Sequence, residues 1–341
     1  MSIEQFTSHD NIPQQEAENK NRSYSRAADM LVEEARASVA RRYGVGEEKR
    51  EYHGPEHTGG VVGRSEIMLQ ALEAAGVHLS PKHKALAKIA ASFHDIFQFY
   101  GVDDAGGKEV MQRRAPKNET YSAEAACRAM RALDEESGGA LFTEEDYTLV
   151  TDAIMATVPK WNPELKTTYQ PNLKPDSPLI VRILAIADLG TSGFNSKEFL
   201  KEGDALFREE QLDLADAFES LARIQRSQAQ GVRLSEEDEA ALTDFAQKKE
   251  SYRERMLAWS ASQPTFAEGR KLLFNQEIDN ATLGPEAKDV LKSLFSDEEF
   301  NRSIALSRAV ASRRGQMQTC EDVARDMGYA LPRFDTGKVL N

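Results

Sequence analysis

Apolar residues recur along most of this chain at three- and four-residue spacings, the period that gives a helix one buried face. Met30, Leu31, Ala35 and Val39 form the first such stripe and predict a helix over 27–43, ended by Gly44 and Gly46. A second stripe starts at Pro55, a residue suited to a first helical turn, and continues through Ile67, Leu69 and Leu72 to Gly76. A third carries Leu86, Ile89, Ala90, Phe93 and Phe97 over 81–100, with Ser80 as N-cap and Pro81 at the first helical position. Further helices are predicted over 118–136 and from Thr143-Glu144-Glu145-Asp146, which resembles a capping box, through Leu149, Val150, Ile154 and Met155 to near Pro159. From Pro178 to Gly190 the residues Ile180, Val181, Ile183, Leu184, Ile186 and Ala187 leave almost no polar face, the pattern of a central, buried helix.

The remaining stretches connect or extend these helices. Residues 101–117 read as a long loop, and 159–178, with five prolines beside Trp161 and Tyr169, as an irregular connection able to wall a pocket. Beyond Asn195 further helices are expected over 197–230, 235–260, 264–276, 285–295 and 297–314, with Phe199, Phe207, Phe218, Phe245 and Trp259 as core residues. The fold class expected is all-α. Its parts are a disordered tail over 1–22, a helical domain over 23–195 and a helical C-terminal region over 196–341.

Composition narrows the function. With 56 acidic and 43 basic residues in 341, the net charge of -13 disfavours a protein that coats nucleic acid, while leaving room for a small basic pocket. The opening Met1-Ser2-Ile3-Glu4 lacks a basic and apolar leader pattern, and no apolar run approaches the roughly 18 residues of a membrane span, so a cytoplasmic protein is expected. Cys127 and Cys320 are far apart and support neither a disulfide framework nor a cysteine metal site.

The chemistry concentrates at three places. His94-Asp95 falls on the apolar stripe of the third helix, where a carboxylate beside an imidazole is costly to bury unless something strongly positive pairs with it. Tyr52-His53-Gly54-Pro55-Glu56-His57 puts two histidines four residues apart at a helix start, with His57 the firmer ligand because Pro55 places His53 at or before the first turn. Asp188 ends the most apolar helix of the chain and must there be protonated, hydrogen-bonded or a ligand. His57, His94, Asp95 and Asp188 thus offer nitrogen and oxygen donors suited to a divalent Zn, Mn, Fe or Mg ion. Lys108, Arg113, Arg114 and Lys117 in the following loop are candidate phosphate contacts, and Glu119 or Glu124 could orient a water. His78 and His83 read as surface residues, and His9-Asp10 lies in the polar tail without an apolar stripe.

The ordered set of His57, then His94-Asp95, then Asp188 resembles the HD-domain superfamily of metal-dependent phosphohydrolases, over residues 50–195. The form Tyr52-His53-x-x-x-His57 is similar to the start of class I cyclic-nucleotide phosphodiesterases, although Gly54 and Thr58 stand where that family has asparagine and alanine. The resemblance implies an HD-type helical bundle in which His53 is the general acid and the other four residues hold metal, with Glu124 a further catalytic candidate. It also implies hydrolysis of a nucleotide or other small-molecule phosphoester by metal-activated water. The absence of a long apolar run argues for no membrane partner, and a homo-oligomer is left open. A non-catalytic nucleotide-binding sensor or scaffold of the same fold, and a di-iron HD-type oxygenase, are the alternatives.

Overall fold

The computed structural model of the chain describes residues 12–46, 48–104, 109–139 and 141–332. His9, Asp10, Lys108 and the last nine residues lie outside these. The helical period is realised throughout. The first part comprises α1 (Ile12–Tyr43), α2 (Pro55–Ala74), α3 (Pro81–Phe93), α4 (Lys117–Glu136), α5 (Glu144–Met155) and α6 (Leu179–Leu189). Then follow α7 (Thr191–Phe194), α8 (Ser196–Glu210), α9 (Leu212–Ala229), α10 (Glu236–Asp279), α11 (Pro285–Leu294), α12 (Asp297–Gly315) and α13 (Cys320–Asp326). No described helix is long and apolar enough to cross a membrane.

α3 is the hub. Ser80 caps it by accepting the His83 N–H, Pro81 opens it, and Leu86, Ile89, Ala90 and Phe93 are fully buried where α1, α2, α4, α5 and α6 meet it. Each large apolar side chain buried there contributes roughly 1.5–3 kcal/mol. α6 is buried at eight successive residues, Ile180 to Ala187, apolar except for Arg182, which donates to the Lys174 and Glu277 carbonyls. Thr143 and Asp146 form the expected capping box of α5.

Several expectations are corrected. Residues 12–22 belong to α1, so the predicted tail is partly helix. α3 stops at Phe93, seven residues early, and His94-Asp95 sit in the turn that follows rather than on a helical face. The Ile96 N–H returns to the Phe93 carbonyl at 3.1 Å, and the Tyr43 hydroxyl accepts the Gln98 N–H at 2.9 Å, turning the chain out of the helix. The expected long loop is instead an antiparallel hairpin of β1 (Tyr100–Asp104) and β2 (Glu109–Arg113), registered with Tyr100 opposite Arg113. A second small hairpin, β3 (Lys160–Asn162) with β4 (Thr167–Tyr169), lies in the proline-rich connection.

The helix expected over 197–230 is broken at Gln211, whose backbone bridges to Val110 of β2 and so ties the hairpin to the end of α8. Conversely, 235–260 and 264–276 are one helix, α10, running through Pro264. Packing of α12 along α10 outweighs the roughly 3 kcal/mol that an interior proline costs. The first core also crosses residue 195. Phe274 and Ile278 of α10, Leu291, Phe295 and Phe300 join the cluster built on α3 and α6. A second cluster of Phe207, Leu214, Phe218, Phe245, Met256 and Val323 holds α8, α9, α10 and α13 together.

Candidate metal centre and its cavity

Three chain segments bring the donors together. Gly54 precedes α2 in a turn so tight that a Cβ there would stand 2.8 Å from the Arg50 carbonyl oxygen; Pro55 then starts the helix and puts His57 on its first, inward turn. His94 caps the C-terminus of α3 with Asp95 beside it, and Asp188 lies in the last turn of α6. His57 Nε2 is 3.3 Å from Asp188 Oδ1 and 3.5 Å from Asp95 Oδ2. His94 Nε2 is 3.2 Å from Asp95 Oδ2 and 3.8 Å from Asp188 Oδ1. The donor atoms of His57, His94 and Asp188 all lie within 4.8 Å of one another, and Asp95 stands against both imidazoles.

Each donor is aimed by a partner on its other side. His94 Nδ1–H donates to the Ala91 carbonyl at 2.8 Å, which leaves the Nε2 lone pair facing the cluster. Asp95 Oδ1 accepts from Gln98 and from Arg113, both at 2.7 Å, and Asp188 Oδ2 accepts from Gln170 at 3.3 Å. Buried Arg64 donates to the Ala187 carbonyl at 2.6 Å, a cation at the C-terminal end of α6, and to Glu202 at 3.3 Å. Glu202 in turn lies 3.8 Å from His57 Nδ1. Burial alone would raise the Asp95 carboxyl, but His94 and Arg113 hold it well below the ordinary range. Burial would lower His57, but Asp188 and Glu202 carry it up to about 9.

These residues fit a divalent cation. The Nε2 atoms of His57 and His94 are buried and have no hydrogen-bond partner, a cost of roughly 1–3 kcal/mol for each orphaned group. Two ligands bound tetrahedrally at about 2.1 Å stand about 3.4 Å apart, close to the separations here. The mixed imidazole and carboxylate set matches Zn, Mn or Fe more closely than the all-oxygen preference of Mg.

His53 precedes α2, outside this cluster, with its ring centroid 6.0 Å from that of His57. Its Nδ1–H donates to Glu209 Oε1 at 2.6 Å, and the other Glu209 oxygen accepts the backbone N–H groups of Tyr52 and His53 at 2.8 and 3.0 Å. Tyr100 of β1 donates its hydroxyl to the same Oε1. Burial would raise the Glu209 carboxyl, but the nearby His53 and these hydrogen bonds bring it down to about 2. His53 is thereby fixed in orientation, and Nε2 is the nitrogen left to exchange a proton.

A cavity of about 250 Å³ opens beside the cluster, lined by His53, Asp95, Arg113 and Asp188 on one hand and by residues of α8 and α10 on the other. Arg113 is largely buried and committed to two carboxylates, Asp95 and Glu119, the latter at 2.8 Å, so it positions a ligand instead of offering a free charge to phosphate. Arg114 and Lys117 are exposed and outside the lining, with the Lys117 ammonium over the Phe99 ring at 5.0 Å. Glu124 is exposed beside Arg128, one turn along α4, and has no place in the site; buried Glu119, on the inner face, reaches it through Arg113. His78 and His83 are exposed, as expected.

Sequence reasoning missed the contribution of α8. Phe199, Glu202, Gly203, Leu206 and Glu210 recur at helical spacing and line the cavity, with Glu209 beside them, so carboxylates on an otherwise apolar stripe were the readable signal. Phe199 is buried with Ala267 and Ile304 and Trp259 packs against the second cluster, as expected, and both also line the cavity. Comparison with protein-family models, with curated proteins and with solved structures finds no match to the chain.

Proposed function

We propose that the chain is a metal-dependent phosphohydrolase of the HD type, acting on a small phosphoester. The observation that carries this reading is the pair of buried, unpartnered imidazole nitrogens converging with Asp188 and Asp95 at the edge of a cavity. A divalent cation bound there supplies positive charge to phosphoryl oxygens and lowers the pKa of a water molecule. Asp95 and Asp188 are held ready by Arg113, Gln98 and Gln170, so little rearrangement is needed to bind it. His53, braced by Glu209, gives a proton to the leaving oxygen as its bond to phosphorus breaks. Water supplies the new oxygen on phosphorus and releases one proton, so one water is consumed and an alcohol and a phosphate are formed.

The test is metal content of the purified full chain together with turnover of a panel of phosphoesters. Asp95→Ala is expected to lose both bound metal and hydrolysis while its circular dichroism stays helical. Full metal occupancy in Asp95→Ala would overturn the site assignment, and a metal-loaded wild-type protein that turns over no phosphoester would overturn the activity.

A further inference from the structure

The α8 and α10 side of the cavity has features that a phosphoryl group does not call for. Phe199, Leu206, Trp259 and Phe266 line it, and the Phe199 and Phe266 rings stack at 6.1 Å with an interplanar angle of 16°. The indole N–H of Trp259 is buried without a hydrogen-bond partner. Glu210 lines the same cavity and makes neither a hydrogen bond nor an ion pair with any described residue. Partial burial in the cavity wall, aided by neighbouring Glu209, raises its carboxyl to about 7.

The other acids of the lining are answered. Asp95 has Arg113, Glu202 has Arg64, and Asp188 has Gln170. Arg113 is the arginine of the lining and is already bound to two carboxylates, so among the described residues of the lining no lysine or arginine is free to neutralise a polyphosphate chain. At about 250 Å³ the cavity is also small, below the roughly 300–1,000 Å³ of sites for drug-sized ligands. A half-buried carboxylate without a partner among the described residues, set beside aromatic side chains, is the complement of a cation. It pairs with the charge, while the ring faces attract it through their quadrupoles.

We propose that this wall is a subsite for an ammonium group, and that the phosphoester cleaved at the metal centre is the ester of a compact amino alcohol, with a primary or quaternary nitrogen. The phosphate half of this statement rests on the phosphohydrolase reading; the ammonium half does not. Hydrolysis breaks the phosphorus–oxygen bond, water provides the incoming oxygen, His53 protonates the departing alkoxide, and the amino alcohol and inorganic phosphate leave.

The experiment compares charged and uncharged isosteres on the metal-loaded full chain. Choline is titrated calorimetrically against the neutral alcohol in which a tert-butyl group replaces trimethylammonium, and phosphocholine is compared with the corresponding neutral phosphate ester in turnover. Choline is expected to bind, and both charged compounds to be favoured at least about tenfold, in Kd and in KM, from cation–π contact with a partly desolvated charge and its carboxylate partner. In Glu210→Gln that preference should fall to near unity, and Trp259→Leu should weaken choline binding with an unchanged circular dichroism spectrum. Equal affinity for the two isosteres in the wild type, or a preference retained in Glu210→Gln, would overturn the subsite. Choline preference with no ester hydrolysed would uphold the subsite and overturn the phosphohydrolase reading, whereas hydrolysis of both esters with equal KM would do the reverse.

Discussion

The two histidines at the start of α2 are four residues apart, yet their surroundings differ. His57 offers a buried nitrogen without a hydrogen-bond partner to the candidate metal centre, while His53 is bound through Nδ1 to Glu209, which leaves Nε2 as the proton donor of the proposed reaction. Replacing His53 by alanine should therefore keep metal and lower turnover by about 10²–10⁴-fold, the usual contribution of a general acid. The loss should depend on the leaving group: a nitrophenyl phosphate, whose phenolate needs little protonation, should be far less impaired than an alkyl ester. Equal impairment on both esters, or loss of metal, would show that His53 does not act as an acid. Arg113 illustrates the same dependence on surroundings. As a residue type it suggests phosphate binding, but its two carboxylate partners make it the brace that keeps Asp95 ionised in a buried place.

At the scale of elements, the donors were legible because each lies at one end of an apolar helix: His57 in the first turn of α2, His94 just after Phe93 of α3, Asp188 in the last turn of α6. Apolar period and N-capping chemistry are local, so helix starts at Ser80 and Thr143 were readable, whereas the end of α3 depends on Tyr43, fifty-five residues from the Gln98 whose N–H it accepts. The break at Gln211 is likewise set by a bridge to Val110, and the partners of His53 and Arg64 come from α8, which no local pattern links to them. The β3–β4 hairpin, unseen in the sequence, docks on α10 at Gly269, where a Cβ would meet the Leu165 carbonyl oxygen at 2.4 Å. That contact positions Thr168 in the cavity lining and Gln170 against Asp188. Gly269→Ala must push the hairpin away, and is expected to cost about 1–3 kcal/mol in denaturant unfolding, as overpacking does, with weaker metal binding in a titration. Unchanged stability and metal affinity would show that the hairpin gives way freely and does not hold Asp188.

At the scale of the whole molecule, acidic side chains of α8 tie the later helices to the first part of the chain: Glu202 reaches Arg64 and His57, and Glu209 reaches Tyr52, His53 and Tyr100. This arrangement fixes how stability follows pH. Glu202 and Glu209 are each brought from an ordinary 4.5 down to about 2, against the opposing effect of burial, by the nearby His57 and Arg64 and by the bonds to His53 and Tyr100 respectively. Between those values the unfolded chain binds the proton and the folded one does not, so stability must fall as pH drops from about 4.5 to 2, by at most about 3 kcal/mol for each group. Glu210 has the opposite sign. Its carboxyl is raised by burial and by Glu209 to about 7, so between 4.5 and 7 the folded chain holds the proton and stability falls as pH rises. Denaturant unfolding of the metal-free protein at constant ionic strength should thus show the acid limb flattened in Glu209→Gln and the descent between pH 4.5 and 7 lessened in Glu210→Gln. An acid limb of unchanged slope in Glu209→Gln would mean that the carboxylate contacts between α8 and the His53 segment contribute nothing to holding the two parts together.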